Sequence, residues 1–279
     1  MKRATRLEIA RQTVEIVERG SYTVGSGRVI DLAEAVRACL VATRFFTPEE
    51  LERLRQDVLA RPAEGSATAF EVVNETTLTG IARLLDDGDS PVAALNFASA
   101  RNPGGGFLNG SQAQEESLAR SSALHASLLR GGEFYERHRA SRSLLYSDAM
   151  ILSPECPVFR DDDGNLLEKP RHVTFITSPA PNAGAAATNC PHEVLLIGEV
   201  FRRRSEYVLA LAASQGHKRL VLGAWGCGVF RNDPAVVAGA FAVHLRYGAW
   251  AGRFERVVFS VLDSSPNTET LAAFQRAVG

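Results

Sequence analysis

Two adjacent carboxylates, Glu115 and Glu116, end the run Gln114-Glu115-Glu116, and seven residues before that run stands an unbroken triplet, Gly104-Gly105-Gly106. Carboxyl groups held in a cleft serve as general acids and bases, and consecutive glycines let a backbone approach a sugar or phosphate more closely than side chains allow. Taken singly, a glycine triplet is a common loop and an acidic pair a common helix start, where the dipole favours negative charge. A second glycine-rich run, Gly223-Ala224-Trp225-Gly226-Cys227-Gly228-Val229-Phe230, follows a short apolar segment and precedes Asp233-Pro234, where a helix begins. Strand, glycine turn and helix N-terminus together present free backbone N–H groups, an arrangement suited to a diphosphate. The run is not a dinucleotide fingerprint: read from Gly226 it is G-x-G-x-x-R, with Arg231 in the third glycine place and no acidic residue at the ribose distance.

Other candidates read as structural. Cys227 has no evident base nearby and neighbours that suit phosphate, so it reads as a small side chain in a tight turn rather than a nucleophile. His192-Glu193 lacks the second histidine of a metalloprotease helix and reads as a polar helix start, leaving no metal site. Trp225 reads as packing at a strand end, and Arg202-Arg203-Arg204 as a solvated helix face.

The elements that must position the two runs follow from periodicity. Short apolar segments at Ala69 to Val73, Val92 to Phe97, Ala149 to Leu152, Val173 to Thr177, Leu220 to Leu222 and Val257 to Leu262 alternate with helices expected near 77–86, 117–130, 192–214, 234–247 and 267–277, with Ala183 to Ala187 as a short loop. Such alternation implies a three-layer α/β domain with a parallel or mixed sheet covered on both faces, whose ligand crevice lies beyond the carboxyl ends of the strands. Ahead of it, Leu7, Ala10, Val14 and Val17 with Gly20 mark a helix and its stop. A hairpin is expected from Tyr22 to Ile30, and Thr47-Pro48-Glu49-Glu50 has a capping-box pattern with Phe46 able to staple onto Leu51. Residues 1–64 are thus a mainly helical N-terminal extension and residues 65–279 the α/β domain, joined at Pro62-Ala63-Glu64-Gly65-Ser66.

Composition narrows the class. With 279 residues, 45% of them hydrophobic, the chain can bury a substantial core, and a net charge of −1 gives no basic surface for holding a polyanion, so no specific nucleic acid is expected and a charged ligand must be met in a pocket. The four cysteines, Cys39, Cys156, Cys190 and Cys227, lack zinc-site or disulfide spacing and fit reduced thiols in the cytoplasm. Lys2, Arg3 and Arg6 are followed by Glu8 and Arg11 rather than an apolar segment, so no secretory leader is expected. The apolar stretch from Pro234 to Leu245 is too short to span a bilayer.

In combination, the glycine triplet and Gln114-Glu115-Glu116 at their spacing resemble the signature of bacterial-type poly(ADP-ribose) glycohydrolases, and the loop from Gly226 to Phe230 is similar to that family's diphosphate loop. The resemblance runs through about residues 70 to 265. It implies a macrodomain, a three-layer α/β/α fold with a mixed central sheet, and in many bacterial members a helical N-terminal extension. It implies that Glu116 is the catalytic glutamate and that Glu115 holds hydroxyls of the terminal ribose. Asn102 matches a ribose-binding asparagine, and Gly105 and Gly106 match glycines packed against that ribose and the diphosphate. Gly226, Cys227, Gly228 and Val229 match the diphosphate loop, and Phe230 an aromatic packed on the bound nucleoside. The stretch Asn74-Glu75-Thr76-Thr77 resembles the adenine-side segment, with Glu75 as the adenine contact.

Neighbouring residues on a helix point about 100° apart, so Glu115 and Glu116 cannot flank one anomeric carbon as acid and nucleophile, and one carboxyl must carry most of the proton transfer. The expected reaction is hydrolysis of the ribose–ribose bond of poly(ADP-ribose), releasing ADP-ribose without a cofactor, with ADP-ribosylated proteins as substrates. Glu116 would protonate the departing ribose oxygen and then deprotonate water, its pKa raised by burial and by the like charge of Glu115. Two alternatives stay open: a module that binds ADP-ribose without cleaving it, and a macrodomain hydrolase of singly ADP-ribosylated substrates.

Overall fold

A computed structural model describes residues 1–63 and 67–279 of the chain. The expected boundary at Glu64 and Gly65, with Ser66, lies outside the described residues. The N-terminal part comprises α1 (Arg3–Arg19), β1 (Ser21–Thr23), β2 (Val29–Asp31), α2 (Ala33–Ala42), β3 (Arg44–Phe46) and α3 (Pro48–Leu59). There follow β4 (Ala69–Val73), α4 (Thr77–Asp86), β5 (Val92–Ala98), α5 (Gln114–Ser121), α6 (Leu124–Arg130), α7 (Gly132–Ala140), β6 (Met150–Arg160) and β7 (Leu166–Pro179). The remainder is α8 (Ala183–Asn189), α9 (Pro191–Val194), α10 (Ile197–Ser214), β8 (Arg219–Gly223), α11 (Pro234–Ala242), β9 (Arg256–Ser260) and α12 (Glu269–Val278).

Seven strands form one mixed sheet in the order β3-β6-β7-β5-β8-β9-β4, while β1 and β2 pair separately as the expected hairpin, with Tyr22 opposite Ile30. From β7 to β4 every neighbouring pair is parallel, so Pro179, Ala98, Gly223, Ser260 and Val73 all end at one edge of the sheet. Strand residues alternate between two cores. Ala93, Leu95, Leu220, Leu222, Val257 and Phe259 pack with α3, α10, α11 and α12, whereas Val92, Ala94, Val221 and Val258 pack with α2, α4, α5 and α6. Period-two alternation with both sides apolar is the mark of a sheet buried on both faces, and it makes the fold three-layered.

Several local expectations are revised by tertiary contacts. Helix α1 ends on Gly20 in the left-handed region (φ 73°) as expected; of the Leu7, Ala10, Val14 and Val17 stripe, Ala10 is buried and Val14 and Val17 are partly so, while Leu7 is exposed and Ile9, Thr13 and Ile16 complete the buried face. Thr47 and Glu50 form the capping box of α3. The stretch from Ala183 to Ala187, expected as a loop, is the start of α8: alanine is the best helix former, and the Asn182 side chain caps it by accepting from Ala185 N–H at 3.0 Å. A single helix over 117–130 is instead α5 and α6. Ser122 breaks it by turning extended and bridging to Val158, while its Oγ accepts from Leu124 N–H at 3.1 Å. The N-terminal part is also woven into the sheet, because β3 pairs antiparallel with β6, Phe45 opposite Ile151.

Candidate active site

Both glycine-rich runs emerge at the shared carboxyl edge. The first leaves β5 and returns as α5, which starts at Gln114 and therefore carries both glutamates in its first turn, where the helix dipole favours them. Gln114 is the pin of this arrangement. Its Oε1 accepts from Phe97 N–H at 2.9 Å, while its Nε2 donates to Leu95 O at 2.8 Å and to Thr77 Oγ1 at 3.1 Å, tying the helix start to the end of β5.

Glu115 turns inward and is only 3% exposed. Asn96 Nδ2 donates to its Oε1 at 3.2 Å and Ser99 N–H to its Oε2 at 2.7 Å. Burial outweighs these hydrogen bonds and, helped by the neighbouring Glu116, pushes its carboxyl up to about 8. At neutral pH Glu115 thus carries its proton and presents no like charge to Glu116. Burial, expected at Glu116, falls on Glu115 instead; Glu116 is half-buried. Gly106 N–H donates to Glu116 Oε1 at 2.9 Å, and among the described residues Oε2 has no partner.

The triplet is shaped for these carboxyls. Gly104 and Gly105 take φ of 69° and 60°, and a Cβ on Gly105 would meet Glu116 Oε1 head-on and stand 3.2 Å from Glu115 Oε2. Asn102 is exposed just ahead of the triplet, its carbonyl accepting from Gly105 N–H at 2.9 Å. Arg139 on α7 steadies the same loop by donating to Arg101 O at 2.9 Å.

The second run leaves β8, the strand paired with β5. Gly226 has φ of 73° and Cβ space closed by Ala180 and by Asn232 Nδ2, whereas Gly228 opens onto free space. Asn232, which sequence reasoning passed over, donates from Nδ2 to Gly226 O at 2.9 Å and to Pro181 O at 2.8 Å and so fixes the turn. Among the described residues the N–H groups of Gly226, Gly228, Val229 and Phe230 donate to no protein acceptor, leaving a row of donors before α11. The Cys227 thiol is pushed up to about 12 by burial, with Asp233 adding to it, so it stays protonated and is no nucleophile. Phe230 faces Tyr146 with ring centroids 6.3 Å apart.

On the diphosphate role expected for this loop from its sequence, Gly226→Ala should weaken ADP-ribose binding by about tenfold or more, since an added Cβ strains the left-handed backbone and pushes on Asn232. Titration calorimetry with ADP-ribose checks it, and an unchanged Kd would contradict the role given to this loop.

Glu75 stands past the end of β4 at the same edge, but its carboxyl is occupied: Oε1 accepts from Arg83 Nη2 and Ser260 Oγ, both at 3.0 Å, and Oε2 from Arg83 Nε at 3.3 Å. Trp225 is packing, its ring against Phe201 and Phe241 and its Nε1 donating to Ser178 O at 3.1 Å. The arginine run is not uniformly solvated. Arg204 is fully buried, donating to Asp148 Oδ1 at 2.9 Å, Pro179 O at 2.6 Å and Leu145 O at 2.9 Å, and it anchors the loop in which Tyr146 holds φ of 58°. The helical spacing gave a signal for this, because Arg204 sits on the stripe of Ile197, Val200, Phe201 and Val208. Glu193 Oε2 accepts from Leu144 N–H at 2.9 Å, a structural contact. Among the described residues no group of three or more His, Cys, Asp or Glu could hold a metal ion, and no helix is long and apolar enough to cross a membrane.

A titration follows from Glu115. The unfolded chain releases this proton near 4.5 and the folded one near 8, so between those values the unfolded state sheds a proton that the native state keeps. Its contribution to stability is full below about 4.5, is lost as pH rises and levels off above about 8. The melting temperature of Glu115→Gln, which cannot titrate, should gain on that of the parent between pH 5 and pH 8, by about 2 °C or more. A gap independent of pH would contradict the buried, proton-bearing carboxyl.

Comparison with known proteins bears on the same elements. The model of the family described as microbial-type PARG, catalytic domain, matches residues 10–161, more than half of the chain. Among curated proteins, none matches. A crystal structure of poly(ADP-ribose) glycohydrolase from Thermomonospora curvata is 52% identical, covers 98% of this chain and 99% of its own, and superposes with a TM-score of 0.94. The same enzyme bound to the inhibitor ADP-HPD is 51% identical over the same shares, with a TM-score of 0.91. Poly(ADP-ribose) glycohydrolase from Deinococcus radiodurans in complex with ADP-ribose is 48% identical, covering 89% of this chain and 98% of that one, with a TM-score of 0.83. By fold, by the glycine and glutamate runs and by these matches, the chain belongs to the microbial-type poly(ADP-ribose) glycohydrolases.

Proposed function

We propose that this chain hydrolyses the ribose–ribose O-glycosidic bond of poly(ADP-ribose), releasing ADP-ribose, with Glu116 as the general acid and base. The observation that carries the reading is the state of that carboxyl: Oε1 is fixed by Gly106 N–H while Oε2 has no partner among the described residues, half-buried beside a glycine cradle. A carboxyl so held can protonate the leaving ribose 2′-oxygen and then take a proton from water. Glu115, neutral at pH 7 and held by Asn96 and Ser99, offers its O–H to a hydroxyl of the terminal ribose. The ribose rests against Gly105 and Gly106 with Asn102 on its outer side. The diphosphate takes the free N–H groups of Gly226, Gly228, Val229 and Phe230, with Cys227 as the small side chain of the turn and Phe230 packed on the nucleoside. Glu75, occupied by Arg83 and Ser260, keeps acceptor lone pairs for the adenine amino group. An oxocarbenium-like centre then gains from the substrate's own diphosphate held nearby.

The ADP-ribose complex of the Deinococcus radiodurans relative and the inhibitor complex of the Thermomonospora curvata one support this reading. ADP-ribosylated proteins are the natural source of the polymer, and the four free thiols accord with work in the cytoplasm. The test is chain shortening. Purified polymer should yield ADP-ribose at a rate unaffected by a chelator, since the step is assigned to side chains alone, and faster than singly ADP-ribosylated peptide does. Binding of polymer without shortening would return the chain to a recognition module, and faster release from the singly modified peptide would make it a mono-ADP-ribose hydrolase.

A further inference from the structure

Helix α1 reaches both sides of Glu116. Arg3 Nε donates to Asn109 O at 3.1 Å and Arg6 Nε to Gly110 O at 2.7 Å, at the far end of the loop that carries the glycine triplet. Gly110 holds φ of 70°, and a Cβ there would stand 3.0 Å from both Arg3 O and Leu7 Cγ, so loop and helix touch backbone to backbone. One turn further on, Ala10, with Val14 beside it, buries against Phe107 and Ala119 in a small apolar cluster apart from the two main cores. Phe107 directly follows the triplet, and Ala119 lies on α5 three residues past Glu116. Next, Thr13 Oγ1 donates to Arg120 O at 2.7 Å, and Arg120 closes the circuit by donating to Ser111 O at 2.7 Å and Gln112 Oε1 at 2.6 Å.

A segment containing Gly104, Gly105, Gly106 and Gly110 has little stiffness of its own, so its conformation must be set by what it is tied to. The N–H that fixes Glu116 Oε1 belongs to Gly106, within that segment, and the residue itself sits on α5, and α1 holds both. We infer that α1 positions Glu116 for catalysis and that Arg6 is its principal positioning residue. The inference rests on the reading of Glu116 given above. It makes the N-terminal helix part of the catalytic apparatus rather than an appendage, and among the described residues no hydrogen bond joins it to the Gly226 to Phe230 loop.

That separation yields a test. Arg6→Ala should lower kcat for ADP-ribose release from the polymer by about tenfold or more, since displacement of a catalytic group by about an ångström can cost about a hundredfold. The Kd for ADP, which lacks the terminal ribose, should stay within about twofold, because it reads the Gly226 to Phe230 loop and the adenine side at Glu75, which Arg83 and Ser260 rather than α1 hold in place. Arg6→Lys, which keeps a cationic donor, should recover most of the lost kcat, and Arg3→Ala combined with Arg6→Ala should lose more than either alone. A kcat within about twofold of the parent in Arg6→Ala, or a loss of ADP affinity in step with kcat, would overturn the inference. Glu116→Gln assayed alongside keeps the two levels apart: full turnover by it refutes the active-site reading, whereas a dead Glu116→Gln beside an unimpaired Arg6→Ala refutes only the role of α1.

Discussion

Glu116→Gln should lose hydrolysis of poly(ADP-ribose) by about a thousandfold or more in kcat while binding ADP-ribose within about threefold of the parent. The amide is nearly isosteric and can still accept from Gly106 N–H through its oxygen, so the loop keeps its shape. It can neither deliver a proton to the leaving oxygen nor take one from water, and the loss therefore falls on the transition state rather than on ground-state binding. Glu115 is not placed to substitute, because Asn96 and Ser99 hold its carboxyl and, as the adjacent helix residue, it points about 100° away from Glu116, toward a different atom of the ribose. Chain-shortening kinetics with calorimetric binding check the split. Retained turnover would move the proton transfer to another group.

The second large effect is expected at Gly105→Ala. Backbone and space act together there: φ of 60° is left-handed, and the new methyl group would meet Glu116 Oε1 and Glu115 Oε2. A non-glycine residue in that region costs about 1–2 kcal/mol, which should lower the melting temperature by about 2–4 °C for each kcal/mol. The larger consequence is catalytic, since relief of the clash must displace one or both carboxyls, and a loss of about a hundredfold in kcat/KM is expected. Gly239→Ala on α11 makes the useful contrast, because the residue is exposed, nothing lies within 4 Å of a Cβ there and no protein group need move. Equal activity of Gly105→Ala and the parent would mean that the glycine triplet does not shape the acid's surroundings.

Much of this was legible in the sequence, for identifiable reasons. The strands from β4 to β9 announce themselves because both faces of the sheet are apolar, and the runs Ala69 to Val73 and Val92 to Phe97 match β4 and β5 to within a residue. The glycine and glutamate runs stood out because their residue types are unusual together, and the structure brings Gly105 and Gly106 against Glu116 as their spacing suggested. What escaped depends on contacts between distant segments. Gln114 reads only as part of a motif until its amide is seen to span Leu95, Phe97 and Thr77. Asn232 has no local pattern that marks it as the pin of Gly226. Arg204 was hidden by its two charged neighbours, although its place on the apolar stripe of α10 pointed inward. On α1, Ala10 and Val14 meet Phe107 and Ala119 as the expected stripe requires, whereas Thr13 is buried by its bond to Arg120 O, a partner far along the chain that no local pattern marks. Burial of Glu115 rather than Glu116 likewise depends on the direction in which α5 leaves β5, which the Gln114 contacts decide.

Whether Glu116 acts on the terminal ribose while the Gly226 to Phe230 loop grips the diphosphate is decided by a crystal structure of Glu116→Gln with ADP-ribose bound. The residue 116 side chain is expected within hydrogen-bonding distance of the oxygen on the anomeric carbon, Glu115 on a neighbouring ribose hydroxyl, and the diphosphate on the N–H groups of Gly226 to Phe230. A terminal ribose turned away from α5, with residue 116 in contact with solvent alone, would contradict the role given to Glu116.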